Sequence, residues 1–134
     1  MDWTLEVVQV PVADFDRAIA FYRDQVGFKL DFVTPAGPLQ WAQLTPTGSG
    51  CSIQLANLAD GPPMAPGSLR GLQLVVSDAE AAREHLLKNG VAAGNINLID
   101  DRDGGTMFDF ADPDGNAWVV QQIKARAGEP LLPH

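Results

Sequence analysis

Two hydrophobic periods alternate along this chain, and the alternation runs through twice. Residues 3–12 are rich in β-branched side chains and read as a strand. Asp14 then stands where a helix N-cap is wanted, and Phe15, Ala18, Ile19 and Tyr22 fall at i, i+3, i+4 and i+7 as one apolar stripe. Gly27 is placed to stop that helix. Residues 28–34, 39–45 and 51–56 read as three further strands, with Pro35-Ala36-Gly37-Pro38 and Gly48-Ser49-Gly50 in the turns between them.

The segment 57–68 holds Gly61, Pro62, Pro63, Pro66 and Gly67, the composition of a linker. Beyond it the pattern restarts. Residues 71–76 predict a strand, and Ser77 or Asp78 an N-cap, with Ser77 and Glu80 spaced for a capping box. Ala79, Ala82, Leu86 and Leu87 give the next helix its apolar face, and Gly90 ends it. Strands are expected over 96–99, 106–111 and 117–123, and a loose tail over 125–134.

The halves align on Gln9-Val10-Pro11-Val12-Ala13-Asp14 and Gln73-Leu74-Val75-Val76-Ser77-Asp78, an offset of 64 residues. The two helix-stopping glycines repeat at an offset of 63. Each half reads βαβββ, and a repeat of that kind predicts architecture as well as elements. The expected organisation is one α+β domain over residues 1–134. Module one covers about 3–57, the linker 58–68, module two 69–124 and the tail 125–134.

Composition narrows the function. The 134 residues carry a formal net charge of −8, and the nine basic residues are scattered. Such a field repels nucleic acid and anionic membrane surfaces, so neither is expected as a partner. Cys51 is the single cysteine, which rules out an intrachain disulfide. Met1-Asp2-Trp3-Thr4 lacks the basic start of a signal peptide, and no apolar run reaches the length of a membrane span. A cytoplasmic location is the expectation that remains.

Two motifs carry a family resemblance. The stretch from Val10 to Phe28 combines a valine-rich strand, Asp14, a helix bearing Phe21-Tyr22, and Gly27-Phe28. Asp112-Pro113-Asp114-Gly115-Asn116 forms a hairpin ahead of the final strand, and its first four residues suit a type I turn. Together they resemble the vicinal-oxygen-chelate superfamily of glyoxalases, extradiol dioxygenases and bleomycin-resistance proteins. The resemblance implies two βαβββ modules forming a cup-shaped half-barrel that holds a ligand and often one divalent metal. It also implies a homodimer, the pairing seen in related small members.

The metal positions that the resemblance implies are occupied here by unsuitable residues. On the first strand of each module they fall on Val7 and Gly71, and on the last strand on Val119. The fourth falls on Gln54, or on Ser52 if that hairpin slips by two. One neutral amide cannot hold a transition metal, which needs three or four imidazole, carboxylate or thiolate donors. No metal and no other cofactor is therefore expected. His85, beside Glu84 and Lys88, reads as a surface residue, and His134 is the last residue. Asp100, Asp101 and Asp103 read as a solvated loop, with a loose Ca²⁺ site as the sharper alternative.

Strand alternation then gives the lining of the cup. Val7 brings Gln9, Gly71 brings Gln73, Val119 brings Gln121, and Gln54 already faces inward. Met107 and Asp109 share a face, and Trp41 or Gln43 joins according to how its strand faces. Trp118 has the opposite parity and is expected under a helix. The bland alternative is that the glutamines merely sit on wetted strand faces.

Three functions remain open at this point. One is a metal-free protein that binds a largely apolar or aromatic small molecule, as in antibiotic sequestration. The second is a glyoxalase-type lyase, isomerase or dioxygenase. The third is a metal-free enzyme with Asp109 as general base.

Overall fold

Among the described residues, eight strands form two separate four-stranded sheets, with a helix after the first strand of each. The computed structural model describes residues 1–35, 39–58 and 64–126. The expected turn residues 36–38, linker residues 59–63 and tail residues 127–134 lie outside the described residues.

The first sheet contains β1 (Val7–Pro11), β2 (Lys29–Val33), β3 (Leu39–Thr45) and β4 (Ser52–Leu58) in the order β1-β4-β3-β2. The second contains β5 (Leu72–Val76), β6 (Asn97–Leu98), β7 (Thr106–Ala111) and β8 (Ala117–Gln122) in the order β5-β8-β7-β6. In each, the first strand runs parallel to the last and the other pairs are antiparallel. This is the expected α+β fold of two tandem βαβββ modules, and the two sheets do not close on one another.

Local chemistry sets the helices. α1 (Phe15–Ala20) begins at Asp14, whose carboxylate accepts from Arg17 N at 3.1 Å. It continues as a π-helical turn over Phe21–Val26, where Gly27 N reaches back five residues to Tyr22 O at 3.0 Å. Gly27 then takes φ 101°, a left-handed stop. α2 (Ala79–Lys88) uses Asp78 as its cap, accepting from Ala81 N at 3.1 Å. The capping box expected of Ser77 and Glu80 is not formed, because Asp78 occupies the cap one residue later and Ala81 then stands at the partner position.

The first strand is shorter than its hydrophobic pattern predicts. Residues 3–6 are not part of β1, and Met1, Trp3 and Leu5 are fully or largely exposed. Alternation without a neighbouring strand to pair with leaves the backbone unsatisfied, and β1 begins only where β4 accompanies it, at Val7 opposite Ser52.

One core serves both modules. Val10, Ala42, Leu44 and Leu55 from the first sheet and Phe108, Phe110, Trp118 and Val120 from the second belong to a single buried cluster with both helices. α1 touches β3 and β4. On its other side Phe21 stacks on Phe110 and Tyr22 packs on Trp118, with ring centroids 6.3 and 5.7 Å apart. The helix therefore lies between the sheets, and the remaining face of each sheet points outward, away from the other.

Candidate functional site

The outward face of the first sheet carries a row of amides. Gln9 on β1 is opposite Gln54 on β4, which is opposite Gln43 on β3, which is opposite Phe32 on β2. Val7 and Ser52 flank this row on one side, and Trp41 and Ala56 on the other. The alternate residues Val10, Leu55, Ala42 and Leu44 are wholly buried in the core. That parity resolves what alternation alone left open, for both Trp41 and Gln43 face outward. Gln9 and Gln54 touch through Nε2 and Oε1 at 3.5 Å, the outer limit of a hydrogen bond.

Beside the amides lies a chain of hydroxyls that sequence reasoning missed. The β2–β3 register slips between Leu30 and Phe32, leaving Asp31 as an extra residue of a β-bulge. A bulge re-aims side chains, and here it sends Asp31 toward the outward face. Thr45 Oγ1 is hydrogen-bonded to the Asp31 carboxylate and lies 2.6 Å from Ser52 Oγ. Ser52 is only 7% exposed. The available signal was Ser and Thr in a strand with the parity of Gln43 and Gln54, but the bulge that brings Asp31 to them leaves no mark in the composition.

The second sheet shows the same design. Gln73 on β5 is opposite Val119 on β8, which is opposite Asp109 on β7. The next row is Val75, Gln121, Met107 and Asn97. Gln73 Nε2 donates to Gln121 Oε1 at 2.5 Å, and Gln121 Nε2 donates to Gly104 O at 2.8 Å. Met107 and Gln121 border a hollow of about 340 Å³ whose other walls include Asp100, Arg102 and Asp103. Asp109 is exposed, and Gly94 N donates to its main-chain oxygen at 2.8 Å. The Asp109 carboxylate lies against Gly94, where a side chain at position 94 would make it turn aside.

Of the expected lining, Val7, Gln9, Trp41, Gln43 and Gln54 share one outward face, and Gln73, Met107, Asp109, Val119 and Gln121 share the other. A single chain does not bring the two sets together, because α1 separates the sheets. Trp118 is 2% exposed on the core side, as its parity predicts. An apolar cleft of about 250 Å³ does exist between the modules, but Phe28, Leu74, Leu86, Phe110 and Val120 place most of its lining on the helix side.

The positions where this fold elsewhere places metal ligands do not fit a metal. Val7, Gly71 and Val119 have no donor atoms in their side chains, and Gln54 offers one neutral oxygen. Among the described residues no three His, Cys, Asp or Glu side chains cluster as a metal would need. The other polar groups have structural partners. His85 is exposed and lies 3.0 Å from Val26 O. Asp103 accepts from Lys124 N and Ala125 N, contacts that hold its carboxyl below the usual range, and Arg102 does the same for Asp100. Burial, followed by the nearby Glu6 charge, pushes the Cys51 thiol up, away from the reactive thiolate. His134 lies outside the described residues.

Residues 4–120 match the family model of the Glyoxalase/Bleomycin resistance protein/Dioxygenase superfamily. The chain belongs to that superfamily. Among solved structures it is similar to TnmS3, an antibiotic binding protein from Streptomyces sp. CB03234, with 34% identity and a TM-score of 0.78 over 91% of this chain and 97% of the other. A glyoxalase/bleomycin resistance protein from the same organism shares 35% identity at a TM-score of 0.76, covering 89% of this chain and all of its own. A superfamily member from Sphaerobacter thermophilus DSM 20745 shares the fold at 22% identity and a TM-score of 0.77, over 90% of this chain and 98% of the other. Among curated proteins none matches.

Proposed function

We propose that this superfamily member is a metal-free, cytoplasmic binding protein that holds a largely apolar, aromatic small molecule without altering it, as in antibiotic sequestration. The observation that carries the reading is the pairing of metal positions that offer no more than one neutral oxygen with two outward faces built of amides, Trp41 and Met107. Such faces recognise by shape, stacking and hydrogen bonds. The similarity to TnmS3, named an antibiotic binding protein, supports the same reading.

Each face alone is an open sheet, so the cup needs a second wall. In this reading a second copy supplies it, and the first-sheet face of one protomer meets the second-sheet face of its partner. Among the described residues the outer edges of β1 and β5 carry no partner strand, and such edges invite pairing. Phe32, Leu98 and Ile99 at the outer margins are exposed apolar residues that a partner would cover.

The test is a titration of dialysed, tag-free protein with planar aromatic natural products, followed by tryptophan fluorescence, beside elemental analysis of the same sample. Saturable quenching that survives EDTA, with no stoichiometric metal and the ligand recovered unchanged, is expected. Turnover of a small oxo-acid or a thiol adduct that vanishes with EDTA would contradict the reading.

A further inference from the structure

We infer that the cup selects ligands by their hydrogen-bond donors, so that its preferred occupant is a hydroxyl- or amine-bearing arene rather than one offering only carbonyls or ethers. The inference rests on the binding reading above and follows from the direction of two hydrogen-bond chains.

On the first sheet the direction is set by Asp31. An ionised carboxylate only accepts, so the Thr45 hydroxyl donates to it. The single Thr45 proton is thereby committed, and Ser52 Oγ, 2.6 Å away, must donate to Thr45 Oγ1. The Ser52 proton is then committed as well. Ser52 is buried, so the chain presents outward the remaining lone pairs of the exposed Asp31 carboxylate and no hydroxyl donor.

On the second sheet the direction is set by Gly104. Its carbonyl only accepts, which turns the Gln121 amide nitrogen toward it at 2.8 Å and the Gln121 oxygen toward Gln73. Gln73 answers with its nitrogen at 2.5 Å, leaving its own Oε1 free. A flip of either amide would set like against like, so chemistry alone fixes both orientations. Asp109, exposed in the neighbouring row, adds a second acceptor to that face.

The two hydrogen-bond chains and the exposed carboxylates thus offer acceptors on both walls, namely Asp31 on one, Gln73 and Asp109 on the other. Gln9, Gln43 and Gln54 lack such an anchor and can turn to suit a ligand. Lys29, opposite Thr45 on the edge strand, adds a cation to the first wall, and Arg102 lines the hollow beside Met107 and Gln121 on the second. A donor on the ligand satisfies a desolvated acceptor, whereas an ether oxygen placed there leaves two acceptors facing each other, at a cost of roughly tenfold to a hundredfold in affinity, or about 1.4–2.8 kcal/mol.

The test compares 1,5-dihydroxynaphthalene with 1,5-dimethoxynaphthalene by isothermal titration calorimetry on the full chain. The two share a ring and differ in their donors. The diol is expected to bind at least about tenfold more tightly, and Asp31→Asn, which can swap an acceptor for a donor, is expected to erase most of that preference. Equal affinities, or a tighter ether, would overturn the inference while leaving the binding reading intact. An Asp31→Asn protein that is folded by circular dichroism yet keeps the full preference would overturn the role of the Asp31 chain. Binding of neither compound at millimolar concentration would overturn the inference and the aromatic-binding reading together.

Discussion

The Tyr22 hydroxyl donates to Asp112 Oδ2 at 2.7 Å, joining two residues 90 positions apart. Tyr22 is wholly buried and Asp112 is 5% exposed. Trp118 Nε1 donates to the same hydroxyl at 2.9 Å, and Asn116 Nδ2 bonds both Asp112 Oδ2 and Pro11 O at 2.8 Å. The hairpin motif of the second module is thus the partner of the Phe21-Tyr22 motif of the first, and the network ties the sheets into one body. Removing the hydroxyl strands the indole N–H in the core. Tyr22→Phe is expected to cost about 1–3 kcal/mol, read as a lowered urea midpoint with an unchanged slope.

The same network gives the stability an alkaline limit. Burial, then the Asp112 charge, holds the Tyr22 phenol well above its ordinary value of 10.0. The folded state keeps this proton more tightly than the unfolded chain. Its contribution is complete below about pH 10 and is lost as pH rises beyond that. Denaturant midpoints measured from pH 8 to 11 should fall more steeply for the native chain than for Tyr22→Phe. Parallel curves would place the alkaline sensitivity elsewhere.

Much of this was legible in the residues, for physical reasons that differ from place to place. The strand limits of β3 and β7 coincide with the expected 39–45 and 106–111, because turn-forming residues flank each in the sequence, although only β7 has a clean period of two. Asp14, Gly27 and the parity of Trp118 are local matters of capping, positive φ and alternation. The start of β1 depends on where β4 begins, and the polarity of the Asp31 chain depends on a register slip between β2 and β3. Those are pairings between distant segments, which periodicity within one segment cannot carry. That the ten lining residues divide between two opposed faces follows from the position of α1, also a tertiary matter.

Self-association follows from the proposed cup. Light scattering at micromolar concentration should return twice the chain mass of 14.3 kDa. A mass of one chain in the presence of a saturating aromatic ligand would leave the second wall without a source.

Trp41, half-buried on the outward face beside the Gln9–Gln54–Gln43 row, is placed to stack on a ligand ring. Trp41→Ala is expected to weaken aromatic binding by roughly three- to thirtyfold, the worth of a stacking contact plus its area. Calorimetry would show this, with near-native thermal stability because the side chain is outside the core cluster.

The central claim, a cup whose two walls come from different copies, is tested most directly by complementation. Gln54→Trp obstructs the first-sheet face and Val119→Trp the second, each at the middle of its row. Either variant alone should bind no ligand. Co-expressed, the two should pair at random, and each mixed dimer should contain one cup with both walls intact, restoring about a quarter of the native binding capacity. Restoration to that level is the result this account predicts. A mixture as inactive as its parents, with mixed dimers present, would contradict it.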